Sequence, residues 1–596
     1  MPLRAFAAFS ESTLFGPIRS MLLKQNGYTQ ALIHTSYPEK PLMVPDTSGW
    51  RSVDALQSIL GGEGDVVTVT TPLDAAAAVA VAGGWTGVGN TESALTNETI
   101  NSSRILDFHR AYLSKQTTPT LIAERLIDVI TTTSPPHPFF ISFNPDAIRR
   151  AAAESTARYA SNQPLSVFDG VLFGVKDEVD VEGHPTSAGT CFMAQHRAPI
   201  TATLPAALEL CSTLGAVLTG KLNMHEIGIG TTGLNPGHGG TPPNPWSPNH
   251  HTGGSSSGSA SIVACGLLPF AIGSDGGGSV RIPSALCGVV GLKPTYNRVC
   301  ALPGPGITHS VCAIGPICST VFDCALVYGV MSAAGSNGTA TAPAVQIPRF
   351  KTLQQKSKPT PLRVGIYTEW FDHGEPSVVE CCRKTLSLLN DAKLIEIVEI
   401  TIPFLRELAM AHSCTIASEM KCGMLEHLEN SKLRRQLDPS TRITFAVADG
   451  FTVDAYLNSQ KIRRRVDTIV RKIFNEDGVD CIATPTTPIP APPIRPGSLQ
   501  SGLSDLSLTT KLMRFCQIAN MLGLPALTVP VGLSSSGSSR GSATTTSPPL
   551  PIGLQFMAPA WNEAVLLYVA SMTEQVVNAE GSFTNKPPLY WDLLQQ

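Results

Sequence analysis

Between Gly253 and Arg281 the chain carries two serine-bearing, glycine-rich turns on either side of one apolar run. The first reads Gly-Gly-Ser-Ser-Ser-Gly-Ser-Ala from Gly253 to Ala260, and the second Ser-Asp-Gly-Gly-Gly-Ser-Val-Arg from Ser274 to Arg281. Upstream, the apolar run Val171 to Val175 leads directly into Lys176-Asp177. A serine hydroxyl is a weak nucleophile until a neighbouring group takes its proton. Glycines let backbone N–H groups crowd around a reacting carbonyl where side chains would block the approach. A lysine at the end of a buried strand is partly desolvated, which favours the free amine that a base requires. Together these residues predict a serine hydrolase whose base is lysine.

Rival chemistries have weaker support. Gly228-Ile229-Gly230-Thr231-Thr232-Gly233 matches the dinucleotide fingerprint by letter, but Lys221 to Ile227 before it reads as helical and no βαβ unit continues from it. Gly254-Ser255-Ser256-Ser257-Gly258 matches a nucleophile elbow centred on Ser256, although Pro248 to Thr252 is a poor strand to precede one. That elbow is the runner-up. No Gly-x-x-x-x-Gly-Lys-Ser/Thr phosphate loop occurs. His184, His225 and His238 are alternative bases that no motif places. Asp275 and Arg281 read as an ion pair holding the second turn. A Ser/Gly linker would have no need of that pair, nor of the apolar flank Ala260 to Ile272.

These residues require rigid elements to hold them. From Val167 to about Val330, strand-like runs (Val171–Val175, Ala216–Thr219, Phe270–Gly273) alternate with helical ones (Ala206–Leu214, Ser257–Gly266). The alternation predicts an α/β architecture with a central sheet. Further helices are expected at Phe15–Leu23, Ile105–Thr133, Asp146–Ala160 and Phe404–Met424. An amphipathic helix should carry Val378, Val379, Cys382, Leu386 and Leu389 on one side, after a strand at Leu362–Tyr367. Residues 1–105 read as an N-terminal region and 106–596 as the main domain. Within the latter, 335–361 is expected to be a surface loop and 534–549 a low-complexity insertion at a hairpin tip.

With 596 residues, 42% of them hydrophobic and 15% charged, the chain can bury a large core. A net charge of −3, with no basic run longer than Arg463-Arg464-Arg465, gives no sign of a general nucleic-acid binder. All 14 cysteines fall at or after Cys191 with no Cys-x-x-Cys pair, which points to scattered thiols in a reducing, cytoplasmic compartment. Met1 to Leu23 lacks the compact apolar core of a signal peptide, and Ala75–Val88 is too short to span a bilayer. Its sparse acidity leaves an organelle-targeting reading open.

On these residues the chain resembles the amidase signature family. The matching segments are Phe168-Asp169-Gly170, Val175-Lys176-Asp177, Gly220 to Glu226, Gly253 to Ala260, Ser274 to Ser284 and Gly291 to Thr295, a signature core of about 167–329. The spacing of 24 residues between Ser255 and Ser279 agrees with the family pattern. Asp275 to Gly288, Tyr367 to Phe371, Thr484 to Thr487, Leu512 to Phe515 and Tyr590-Trp591-Asp592 are most similar to its plant-type fatty acid amide hydrolase branch. The chain departs from that pattern in a short N-terminus, the 534–549 insertion and Pro294 after Lys293.

The resemblance implies a mixed, twisted β-sheet surrounded by α-helices. It also implies a catalytic set of Lys176, Ser255 and Ser279, with Ser279 the nucleophile and Ser255, in a cis-peptide turn, relaying its proton to Lys176. The N–H groups of Gly276, Gly277, Gly278 and Ser279 would form the oxyanion hole. No cofactor and no metal are implied. The substrate expected is an N-acylethanolamine or other fatty acid amide. Two alternatives are a broad amidase for small or aromatic amides and the glutaminase subunit of a tRNA-dependent amidotransferase. A homodimer and a peripheral contact with intracellular membranes, where long-chain substrates partition, are both compatible with this reading.

Overall fold

The computed structural model describes residues 3–12, 15–35, 37–50, 66–74, 76–77, 104–134, 137–197, 204–238, 240–299, 310–334, 343–348, 360–534, 548–584 and 586–595. Most of the apolar run Ala75–Val88, of the 335–361 segment and of the 534–549 insertion lies outside these residues. The strands in chain order are β1 (Val66–Val69), β2 (Phe140–Phe143), β3 (Leu172–Lys176), β4 (Val217–Leu222), β5 (Phe270–Asp275), β6 (Val290–Lys293) and β7 (Ala313–Cys318). They continue with β8 (Val345–Pro348), β9 (Leu362–Ile366), β10 (Ile395–Glu399), β11 (Cys481–Pro485), β12 (Ala526–Leu533) and β13 (Pro551–Met557).

Eleven of them form one sheet in the order β10-β9-β11-β13-β12-β6-β7-β5-β3-β4-β2. Pairing is parallel for β10–β9, β9–β11, β5–β3 and β3–β4, and antiparallel elsewhere. This is the expected α/β architecture, a mixed sheet flanked by helices. The central strands β3, β5, β6, β7, β11 and β13 are buried along their whole length. Helices on both faces remove the need for a polar side, so these strands read as continuous apolar runs. At the edge, β10 keeps Glu396 and Glu399 outward, which protects an unpaired strand from foreign pairing.

Several expectations shift in detail. The 105–133 helical stretch is two helices, Arg104–Leu113 and Pro119–Thr132. Thr118 caps the second by accepting from Leu121 N, and Pro119 follows at the first turn. Lys221–Ile227 is not helical: β4 runs through Leu222 and one 3₁₀ turn, Glu226–Gly228, follows. Pairing of Lys221 with Val175 on one side and Ser142 on the other overrides the local preference. Within the 335–361 segment, β8 pairs antiparallel with β1, two four-residue strands too short to show an alternation. The hairpin around 534–549 is β12 paired with β13.

Two large apolar cores result. One wraps the sheet. The other gathers the helices Leu405–Gly423 and Val453–Asn475 with Leu23, Tyr28, Ala31 and Leu32 from the N-terminal segment. A smaller cluster of Ile227, Met420, Met424, Leu437 and Phe445 lies under the 226–233 loop.

Candidate active site

The site grows from the ends of two neighbouring parallel strands. Val175 of β3 stands beside Ile272 of β5, so Lys176 and Ser274 leave the sheet at the same edge. Such carboxyl ends are where open α/β sheets place ligands. Lys176 is fully buried. Its Nζ donates to Ser255 Oγ at 2.6 Å and to Ser274 Oγ at 2.8 Å, and lies 3.0 Å from Glu178 Oε1. All three partners are at most 3% exposed. Glu178 lies in the turn that follows β3, where no strand alternation places it, and sequence reasoning missed this contact, as it missed the one to Ser274. Asp177 faces the other way, accepting from Ser187 N and Gly189 N at 3.1 Å each and lying 3.6 Å from Lys221 Nζ.

Ser255 sits in a turn whose Gly254–Ser255 peptide is cis, as the resemblance implies. Its carbonyl accepts from His225 N at 3.0 Å and Ser257 N at 2.9 Å. The glycines of the dinucleotide-like motif pack around this turn. At Gly228 φ is +76°, and a Cβ there would lie 3.0 Å from Glu178 Oε2 and 3.5 Å from Ser255 Oγ. A Cβ at Gly230 would meet the His225 ring at 2.2 Å, and one at Gly233 the carbonyl of Gly253 at 2.5 Å. No helix follows Gly233 before Ser257 among the described residues, so the motif has no phosphate-binding frame. Close packing against the serine turn accounts for its glycines.

The second turn is held by Asp275 and Arg281, both fully buried. Arg281 donates from Nε to Asp275 Oδ2 at 3.0 Å and from Nη2 to Oδ1 at 2.9 Å, with further bonds to Asn520 Oδ1 and Gln555 Oε1 at 2.7 Å each. Burial alone would raise the Asp275 carboxyl, but the adjoining guanidinium holds it well below the usual carboxylate range. Asp275 also accepts from Val280 N at 3.1 Å and Gly278 N at 2.8 Å. The Gly278 N–H is already engaged by a carboxylate, which leaves Gly276, Gly277 and Ser279 with N–H groups that have no acceptor among the described residues.

Ser256 is fully buried, its Oγ donating to Ser274 O at 3.2 Å and its N–H to Ser279 O at 3.2 Å. It braces the two turns against each other, which leaves no free hydroxyl for an elbow. Ser279, by contrast, lines a cavity of about 340 Å³. Gly228, Gly230 and Gly277 share its inner end. Ile416 and Met420 stand there too, beside Ser255 and Ser274, and Leu22, Leu23 and Ile443 add to the apolar wall. Among the described residues no lysine or arginine lines it. His225 touches this cavity, but burial pushes its imidazole down to about 3, so it is neutral. His184 and His238 do not reach it.

A mixed sheet that brings a buried lysine and two glycine-flanked serine turns to one strand edge defines an α/β enzyme. The chain belongs to the amidase family, whose model matches residues 122–567. It is 37% identical to a fatty acid amide hydrolase of Medicago truncatula over 99% of this chain and 94% of that protein. It is 36% identical to a fatty acid amide hydrolase of Arabidopsis thaliana, again over 99% of this chain and 94% of that protein. Among solved structures, a vestigial protein complex tied to the origins of an s-triazine catabolic enzyme superposes with a TM-score of 0.68. It shares 27% identity and covers 81% of this chain and 99% of its own.

Proposed function

We propose that this amidase cleaves fatty acid amides, N-acylethanolamines among them, to a free fatty acid and an amine. The carrying observation is the cavity at Ser279, walled largely by apolar side chains, with Asn26, Asp505 and several hydroxyls among them and no cationic side chain among the described residues. A long acyl chain gains by leaving water there, at about 0.8 kcal/mol per buried methylene. A glutamine substrate would bury its carboxylate there without a cationic partner among the described residues. The similarity to fatty acid amide hydrolases over nearly the whole chain supports the same reading.

In this mechanism Ser279 attacks the amide carbonyl while its proton passes through Ser255 to the free amine of Lys176. The 2.6 Å contact between Lys176 and Ser255 supports that relay. The N–H groups of Gly276, Gly277 and Ser279 receive the oxyanion, each donor being worth about 3 kcal/mol in the transition state. The proton returns through Ser255 to the leaving nitrogen, which departs as a neutral amine instead of an anion. Water then hydrolyses the acyl-enzyme on Ser279. Substrate arriving from a membrane would enter past Gly16–Gln25, where Leu22 and Leu23 face the cavity and Met21 is 49% exposed. No helix of the described residues is long and apolar enough to cross a bilayer.

The test compares fatty acid release from a long-chain N-acylethanolamine with hydrolysis of a short aliphatic amide, in wild type and Ser279→Ala. The reading expects preference for the long chain and loss of turnover in the variant. Turnover on the short amide alone would move the function to a general amidase.

A further inference from the structure

Behind the oxyanion turn lies a histidine that the mechanism above does not use. His412, on the helix Leu405–Gly423, is fully buried and is not part of the Ser279 cavity wall. Its Nε2 is 2.7 Å from the carbonyl oxygen of Gly276. A carbonyl can only accept, so Nε2 carries the hydrogen and Nδ1 is left as an acceptor. The Gln517 Nε2 amide, 3.3 Å from Nδ1, supplies the matching donor. Burial pushes the imidazole down to about 4, so the ring is neutral and this tautomer is the one the two partners select.

The Gly276 carbonyl belongs to the same planar peptide unit as the Gly277 N–H, and in a trans peptide the two point in opposite directions. A hydrogen bond that draws the carbonyl toward His412 therefore turns the Gly277 N–H away from it, toward the side where Gly277 and Ser279 line the cavity. Three successive glycines have no Cβ to resist rotation of that plane. The ring also packs against the turn, since a Cβ at Gly277 would lie 2.9 Å from His412 Cε1. Accepting a bond at the carbonyl further polarises the N–H at the other end of the unit. Ile416 and Met420 follow His412 at four-residue spacing and line the same cavity, so one helical face carries both the clamp and part of the apolar wall.

We propose that His412, oriented by Gln517, is the positioning residue that locks the Gly276–Gly277 peptide with its N–H aimed at the oxyanion. The proposal rests on the reading of Ser279 as nucleophile. The oxyanion exists only after attack, so losing this clamp lowers kcat and spares KM.

The experiment compares His412→Phe, which keeps the bulk and loses the donor, with His412→Gln, which restores an N–H. Gln517→Met, which releases the tautomer, serves as an independent variant should His412→Phe fail to fold. His412→Phe is expected to lose about a hundredfold in kcat at a KM within about twofold, Gln517→Met about tenfold, and His412→Gln to recover most of the loss. Inhibition by a long-chain trifluoromethyl ketone, whose serine adduct carries the oxyanion, should weaken in parallel with kcat/KM. A folded His412→Phe with wild-type kcat, a loss confined to KM, or ketone affinity unchanged while kcat falls would each overturn the proposal. Retained turnover in Ser279→Ala would instead remove the nucleophile reading, a separate outcome.

Discussion

Lys176 and Ser274 are joined by a 2.8 Å Nζ···Oγ hydrogen bond that ties together the ends of two adjacent parallel strands. This contact aims the amine at Ser255 as much as the 2.6 Å bond to Ser255 itself does, because Lys176 can swing only if both hydroxyls release it. Ser274→Ala should therefore lower kcat by about tenfold, the cost of one hydrogen bond to a charged or basic group, with little change in KM. Steady-state kinetics on a single amide checks this, and an unchanged kcat would mean that Ser255 and Glu178 suffice to orient the lysine.

Ser255 and Ser256 are neighbours with different fates. Ser255→Ala breaks the relay and should cost several orders of magnitude in turnover. Ser256→Ala removes only the bond to Ser274 O, so it should cost about 1 kcal/mol of stability and leave most activity. The reverse ranking would restore the elbow centred on Ser256.

Asp275→Asn would leave the Arg281 guanidinium buried beside a neutral amide. Breaking a buried pair from one side costs about 3–5 kcal/mol, and here it also loosens the turn that carries Ser279. A large fall in thermal midpoint together with loss of turnover is expected. Since the Asp275 carboxyl is held low, its contribution is present above the ordinary carboxylate value and disappears as pH falls through its depressed one. As far as this pair is concerned, the thermal midpoint of wild type should be flat above about pH 5 and fall progressively as the pH is lowered below that.

A pH effect of opposite sign comes from Glu226 and Asp438. Glu226 Oε2 accepts from Asp438 N at 2.9 Å, and Thr441 faces the same carboxyl. Burial raises both carboxyls, Asp438 raises Glu226 further, and Arg4 and the Gly237 N–H only partly offset this for Asp438. Folding thus favours their protonated forms. The stability is fully present below the ordinary value of 4.5 for Glu226 and is lost as pH rises through the raised value. Between about pH 5 and pH 9, Glu226→Gln should lose less thermal midpoint than wild type. A steeper loss in the variant would contradict the sign.

In the 228–233 loop a correct conclusion stands on a mistaken local reading. A helical Lys221–Ile227 argues against the dinucleotide motif, yet that segment ends a strand. The motif fails for another reason: Gly228, Gly230 and Gly233 are filled by Ser255, the His225 ring and the Gly253 carbonyl, contacts from residues close in sequence only in the case of His225. Local pattern could not separate these readings, since both demand glycine for close approach of backbone. The expected oxyanion set includes Gly278 for a similar reason. Asp275 is visible three residues before Gly278, but that its carboxylate turns back to take the Gly278 N–H is decided by Arg281 and Asn520 closing around it.

By itself the sequence determined the α/β class, the lysine at a buried strand end, the two serine turns and the Asp275–Arg281 pair. Each rests on short-range regularities: apolar runs that must be buried, glycines where backbone must crowd, and charges that must pair once enclosed. Tertiary structure alone decided that Lys176 is shared among Ser255, Ser274 and Glu178, that Ser256 is a brace, and that His412 and Gln517 stand behind the Gly276–Ser279 turn. Those contacts join residues up to 136 positions apart, as Gly276 is from His412. They depend on strand order and helix rotation, which no local pattern encodes.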